Sequence, residues 1–173
     1  MYLTSFAWGL AEATVFFIVP DVWLTILGCR DVRRAMKATV VALLGALVGG
    51  AIMFGVGSRD VLRHVPGVHE TLISAVDMDI SRHGIAAVLV GPLKGVPYKI
   101  YAVEWRARGG GLLPFLLISI PARWIRFALS ACVARAIANW LARWTHRRTG
   151  VELAILGAFW ITFYTIYFTH FGW

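Results

Sequence analysis

The chain has 173 residues, of which 59% are hydrophobic and 15% charged, and its net charge is +8. An ordinary soluble domain carries about 25% charged residues, so this composition excludes that class and indicates one compact integral membrane domain. Basic residues flank apolar blocks, as in the positive-inside rule, and no basic stripe is interleaved with aromatic residues to indicate a nucleic-acid partner. We predict an all-α polytopic protein of a bacterial or archaeal plasma membrane.

The first apolar stretch, residues 3–28, is interrupted by charge and by proline. Glu12 lies within it, and Pro20 followed by Asp21 breaks it before the apolar sequence resumes. Broken backbone at membrane depth survives only where protein covers it or where it lines a wet cavity, so two short arms predict a re-entrant hairpin. Two alternatives stay open: Glu12 lies at the surface if the first arm is shallow, and Asp21 is the N-cap of the second arm.

The next two segments predict a membrane span and a surface helix. Residues 38–57 are uncharged and long enough to cross a hydrocarbon core of about 30 Å. Gly45 and Gly49 form a GxxxG pair, which predicts close approach of another helix and offers a face for a homodimer. Residues 58–83 are polar and then carry apolar residues at helical spacing, which predicts an amphipathic helix on the membrane surface.

The second broken stretch, residues 84–104, is the most unusual part of the sequence. It contains Pro92, Lys94, Pro97 and Lys99 between apolar flanks. A lysine at mid-bilayer costs about 2.5–3.5 kcal/mol on insertion scales unless it meets a partner or water. Lysine side chains that snorkel to the interface are an alternative, but the proline between them favours a loop. We therefore predict a second re-entrant hairpin.

The same order of segments occurs twice along the chain. Residues 3–57 and 84–138 each contain a broken segment, a joint and a long apolar helix. Such halves are typical of inverted-repeat transporters, whose broken helices meet near the membrane midplane. With a final apolar span at residues 151–171, we predict two re-entrant hairpins and about three full transmembrane helices.

The distribution of basic residues tests whether the broken segments cross the membrane. The basic segments 30–37 and 143–148 share one membrane face only if both broken segments return to the side from which they came. Because only that arrangement obeys the positive-inside rule, we predict re-entrant hairpins. The rule places the N-terminus and the basic segments in the cytoplasm, with the C-terminus outside.

The charged residues predicted to lie within the membrane are two acids and four bases: Glu12, Asp21, Lys94, Lys99, Arg123 and Arg126. Arg123 and Arg126 are three residues apart and share one helix face. The surplus of positive charge suits a phosphate, which arginine binds with a bidentate fork and lysine as a point charge. The bases are therefore predicted to bind substrate and the acids to couple protons or form ion pairs. A purely structural role for these pairs is the alternative.

Other kinds of site have no sequence pattern here. The five histidines lack the spacing of metal ligands, so we expect no metal. Neither a GxSxG nor an HExxH motif occurs, so we expect no catalytic site, no cofactor and no enzymatic activity.

Three motifs resemble those of a known family: EATVFFIVPD (12–21), GALVGGAIMFGVGSR (45–59) and LKGVPYK (93–99). Over residues 3–140 the layout resembles the DedA family, also called VTT-domain or SNARE-associated membrane proteins. The family loop usually reads R-F-x-P-x-x-R. Lys94 stands three residues before Pro97, as the first arginine of that loop does, whereas Lys99 follows the proline by two residues rather than three.

The resemblance implies movement of lipid across the bilayer. Bacterial members of the family translocate polyprenyl-phosphate carrier lipids with a link to the proton motive force, and eukaryotic relatives scramble phospholipids. We therefore expect a transporter whose partners are membrane lipids with an anionic head group. Two alternatives are a proton-coupled transporter of small ions or drugs, and a non-transporting scaffold or assembly factor. In a scaffold, all the embedded charges pair off and no cleft reaches lipid.

Overall fold

A computed structural model of the protein describes residues 1–91, 95–144 and 149–171. Pro92, Lys94 and part of the predicted basic segment 143–148 lie outside the described residues. Within the described ranges all regular secondary structure is helical, in nine helices: α1 Tyr2–Thr14, α2 Asp21–Arg30, α3 Val32–Val56, α4 Arg59–Arg63, α5 Glu70–His83, α6 Ala86–Val90, α7 Tyr98–Ala107, α8 Leu112–Trp144 and α9 Thr149–Phe171.

Three of these helices, α3, α8 and α9, are long and apolar enough to cross a membrane. The prediction of an all-α protein with three helices of transmembrane length is therefore confirmed. Pro121 lies inside α8 without ending the helix.

Helices α3 and α8 pack against each other in opposite directions and form the centre of the fold. Near the end of α3, the ring of Phe54 lies 5.9 Å from that of Phe115 at the start of α8. Near the beginning of α3, Ala38 and Ala42 form a buried cluster with Phe127, further along α8. These pairs fix the antiparallel arrangement.

The GxxxG face of α3 is filled by α1. A Cβ atom added at Gly49 would lie 2.7 Å from the Cβ atom of Ala13 and 2.8 Å from the carbonyl oxygen of Leu10. At Gly45 the added atom would meet the backbone of Phe6 in the same way. The predicted close helix approach is confirmed, but the partner is a helix of the same chain. A homodimer through this face would have to displace α1, and it stays a prediction.

The first predicted break is present, and the chain reverses direction there. Helix α1 runs in the same direction as α3, since Phe6 lies beside Gly45 and Ala13 beside Gly49. Helix α2 returns, and its Leu24 packs with the beginning of α3 at Ala38. Residues 15–20 connect the two helices.

The second break separates α6 from α7, and Pro97 is the N-cap residue of α7. Helix α7 runs along the last part of α3, because Tyr98 lies against Gly50 and Val103 against Gly57. Helices α2 and α7 thus begin near the middle of the fold and point to opposite ends of α3. The re-entrant hairpins and the inverted-repeat relation stay predictions.

The segment between the two halves forms α4 and the amphipathic helix α5. On α5, Ile73, Val76 and Ile80 are buried, so the helix has the expected amphipathic pattern, and its position on the membrane surface stays a prediction. The beginning of this segment is tied to α7 by an ion pair that the sequence pattern did not indicate. Arg59 donates from Nε and Nη2 to the two oxygens of Glu104 at 2.8 and 2.6 Å, and Glu104 is fully buried.

Candidate functional site

A cavity of about 570 Å³ lies beside the middle of α8. Elements from both halves of the chain and from α9 contribute to its walls. Its charged lining is formed by Glu12, Asp21, Lys99 and Arg126, with the hydroxyl of Ser130 beside them. Residues that are far apart in sequence therefore line one cavity, and they include four of the six charged residues predicted for the site.

Glu12 and Arg123 form a buried ion pair. Their side chains are 5% and 0% exposed, and Nη2 of Arg123 donates to Oε2 of Glu12. The alternative of Glu12 as a surface residue is therefore wrong: α1 packs along α3 and carries the carboxylate into the interior.

Aromatic rings surround the rest of the Arg123 guanidinium. Its central carbon lies 4.3 Å from the ring centroid of Tyr98 and 5.3 Å from that of Phe127. Nε and Nη1 have no hydrogen-bond partner within the described part of the chain. A cation over an aromatic face is stabilised by the ring quadrupole, so the two rings offset part of the desolvation of this charge.

Asp21 pairs with Arg126 at the cavity wall. Nη2 of Arg126 donates to Oδ2 of Asp21, and the hydroxyl of Ser130 donates to Oδ1 at 2.6 Å. Asp21 is the first residue of α2, and Pro20 is the N-cap. The alternative of Asp21 as an N-cap is therefore wrong, because Pro20 holds that position and the Asp21 carboxylate accepts hydrogen bonds from two side chains of α8.

Lys99 is 1% exposed and is the second residue of α7. The prediction that Lys99 lies in a loop is wrong, because α7 begins directly after Pro97 and already includes Lys99. Its Nζ donates to the carbonyl oxygen of Phe16 at 2.8 Å, so it connects the first break to the second. No carboxylate of the described ranges lies within ion-pair distance of Lys99.

The remaining predicted site residues are three prolines and Lys94, and the structure describes only two of them. Pro20 and Pro97 each precede the first residue of a helix, as predicted for the breaks. Pro92 and Lys94 lie outside the described residues, so their predicted roles stay predictions.

Aromatic residues of α9 form the side wall of the cavity: Phe159, Trp160, Phe163, Tyr164 and Tyr167. Two hydrogen bonds join this wall to the first half of the chain. Nε1 of Trp160 donates to Oγ1 of Thr25 at 3.0 Å, and the backbone N–H of Val19 donates to the Tyr164 hydroxyl at 2.9 Å. The sequence analysis missed this contribution, because an aromatic-rich apolar span is also what a lipid-facing helix contains.

The cavity combines a charged base with an aromatic side wall. The base holds Lys99, whose charge no described acid pairs, beside the Asp21–Arg126 pair. The wall offers apolar rings along one side. The arrangement can hold a molecule with an anionic head and an apolar tail, in which the head meets the charges and the tail lies along the rings.

Comparison with known proteins gives no match for this chain: no protein-family model, curated protein or solved structure aligns with it significantly. The resemblance to the DedA family therefore stays a prediction from the three motifs.

Proposed function

We propose that this protein is an integral membrane transporter that moves a phosphate-bearing lipid, either a polyprenyl phosphate or a phospholipid, across the bilayer. The observation that carries this proposal is the cavity in which Lys99 and Arg126 share one lining with an aromatic wall. Lys99 has a carbonyl rather than a carboxylate as its partner. A phosphate oxygen can therefore approach it without first displacing an acid.

The proposed orientation of the protein in the membrane rests on a contact between α8 and the end of α2. Nη1 of Arg135, late in α8, donates to the carbonyl oxygens of Cys29 and Arg30 at the end of α2. This contact supports a common face for the two basic regions, the one expected of re-entrant hairpins. By the positive-inside rule we assign that face to the cytoplasm.

In the proposed mechanism, the phosphate competes with the acids for the bases. Binding beside Lys99 brings it to the Asp21–Arg126 pair, where Arg126 can exchange the carboxylate for phosphate oxygens. An acid that loses its cation in a desolvated site is stabilised by taking up a proton. Release of the lipid and return of the ion pair then expel that proton, which couples transport to a proton gradient.

The test is lipid translocation in proteoliposomes with a matched pair of lysine variants. Lys99→Met removes the charge in the cavity, whereas Lys37→Met makes the same change at an exposed position of α3. We expect Lys99→Met to abolish translocation of a labelled phosphatidylglycerol or prenyl phosphate, and Lys37→Met to keep the wild-type rate. Equal rates in both variants, with both proteins folded, would contradict the proposal.

A scaffold function is the second candidate, and the two buried ion pairs favour it. Glu12–Arg123 and Asp21–Arg126 are already formed in this structure, as expected if these charges only hold the helices together. Lipid translocation by the wild-type protein distinguishes the two candidates. If the protein is a scaffold, vesicles that contain it translocate every phosphate-bearing lipid no faster than protein-free vesicles do.

A further inference from the structure

We propose that the seam between α9 and the tip of the first hairpin is a lateral portal for the hydrocarbon tail of a membrane lipid. In this proposal α9 pivots about its contact with α2 and α8. The proposal rests on the proposed function, because it describes how a lipid enters the cavity. We define the seam as the contact of Phe17 and Val19 with Tyr164 and Phe168.

The pivot lies in the first half of α9. Leu156 packs against a buried cluster of Cys29, Ala134 and Ala138, which joins α2 to α8. One turn further along, Trp160 donates its hydrogen bond to Thr25. Both contacts are made with residues inside regular helices, so this part of α9 rests on a fixed surface.

The seam is built differently, because its partner is the break between α1 and α2. The Tyr164 hydroxyl accepts a hydrogen bond from the backbone N–H of Val19, a residue in neither helix. The ring of Phe17 meets those of Tyr164 and Phe168 edge-on, with centroids 6.4 and 5.1 Å apart. Ring contacts of this kind can be replaced by contacts with a hydrocarbon chain.

The cavity lies directly behind the seam. Phe17, Val19 and Tyr164 all belong to the cavity lining, as do Glu12 and Lys99. In addition, none of the residues from 150 to 169 is buried in the protein, although the span is as apolar as a membrane helix. Helix α9 is therefore covered on one side only, and its movement away from the hairpin would connect the charged base of the cavity to the lipid phase.

Two reversible cross-links test the portal on one background. Cys29 and Cys132 are first replaced by alanine, which removes both native thiols. Val19→Cys with Tyr164→Cys then spans the seam, and Ala138→Cys with Leu156→Cys spans the pivot at two residues outside the cavity lining. A short reducible bis-methanethiosulfonate is added to each protein in proteoliposomes that contain labelled phosphatidylglycerol, and each double variant before cross-linking is its own reference.

We expect the seam cross-link to reduce translocation to the protein-free rate and dithiothreitol to restore it. The pivot cross-link should leave the rate of its own reference unchanged. Undiminished translocation through a cross-linked seam would overturn the proposal, and so would a block by the pivot cross-link, since a pivot tolerates a tether.

A distance measurement keeps the proposal testable if these variants do not transport. Spin labels are placed at the exposed residues Val15 and Ile166 across the seam, and at Val133 and Ile155 near the pivot. In lipid nanodiscs we expect two distance populations for the seam pair and one for the pivot pair. A single seam distance as narrow as the pivot distance would overturn the portal. Two seam distances in a protein that translocates no lipid would contradict the proposed function alone.

Discussion

Two groups of arginine–carboxylate pairs in this chain use the same chemistry in different surroundings. The central pairs, Glu12–Arg123 and Asp21–Arg126, lie beside the cavity. The end pair, Arg59–Glu104, ties α4 to α7 at the end of α3. Each pair contains a carboxylate that is nearly or fully buried. The difference therefore lies in the hydrogen bonds that the arginine makes.

The hydrogen-bond donors of Arg59 in the end pair have partners in Glu104 or water, whereas two donors of Arg123 in the central group have no such partner in the described part of the chain. Arg59 uses Nε and Nη2 on both oxygens of Glu104 and is 47% exposed, so water reaches its remaining donors. Arg123 is fully buried, and two of its nitrogens face aromatic rings without a hydrogen-bond partner in the described part of the chain. A bidentate pair is suited to hold two elements together, whereas Arg123 combines one carboxylate contact with aromatic rings and is not part of the cavity lining.

Arg123→Ala should have the largest effect on stability. It leaves the Glu12 carboxylate buried without its cation, and breaking a buried pair in this way costs about 3–5 kcal/mol. Thermal or detergent unfolding of the purified protein measures the loss. The double variant with Glu12→Gln should recover part of it, and a double variant less stable than Arg123→Ala would contradict the pairing.

Arg59→Ala should cost less, about 1–3 kcal/mol, because Arg59 is 47% exposed and its removal opens the Glu104 carboxylate to water. Lipid translocation should stay near the wild-type rate, since this pair lies outside the cavity lining. The same unfolding assay measures the stability. A larger loss of stability in Arg59→Ala than in Arg123→Ala would contradict the proposed difference between the two pairs.

Tyr98→Phe should have a smaller effect, about 0.5–1.5 kcal/mol. It removes the hydrogen bond of 2.8 Å to the Ser119 hydroxyl but keeps the ring beneath Arg123. Ser119 keeps its own bond to the carbonyl oxygen of Phe115. Tyr98→Leu, which also removes the ring, should be clearly less stable, and equal stability of the two variants would show that the cation–π contact contributes nothing.

Arg63→Ala should not change the stability measurably, because exposed ion pairs contribute little. Its hydrogen bond holds the pKa of the Glu70 carboxyl below the ordinary value, so the variant should bring that pKa back up. Since the folded state lowers this pKa, the pair stabilises only above the pH range in which Glu70 titrates and loses its effect as the pH falls. An NMR titration of Glu70 checks the shift, and an unchanged pKa would contradict it.

The elements that could be predicted are those with a strong local signal. The proline in Pro20-Asp21 marks the first break because proline disfavours a helix interior, and Pro97 marks the second, although Pro121 is accommodated inside α8. The small residues Gly45 and Gly49 likewise predict a close helix contact. A local pattern does not identify the partner, however. Here the partner is α1 of the same chain, which occupies the face on which a homodimer is predicted.

Long-range contacts account for what the sequence did not reveal. Glu104 stands beside basic and glycine-rich residues and looks like part of a polar joint, yet Arg59, which is 45 positions away, allows its burial. In the sequence Asp21 follows Pro20 as a helix cap would, and only the tertiary structure reveals that its carboxylate pairs with Arg126 and Ser130 of α8. The aromatic residues of α9 became a cavity wall through tertiary contacts that their composition does not specify.

The central claim is that the charges of the cavity select a phosphate-bearing lipid. The most direct measurement compares, in wild-type proteoliposomes, the translocation rates of two labelled lipids with similar tails, phosphatidylglycerol and a neutral glycosphingolipid. We predict rapid movement of the phosphate-bearing lipid and no movement of the glycosphingolipid above the protein-free rate. Equal rates for both lipids, or no protein-dependent movement of either phosphatidylglycerol or a prenyl phosphate, would contradict the account.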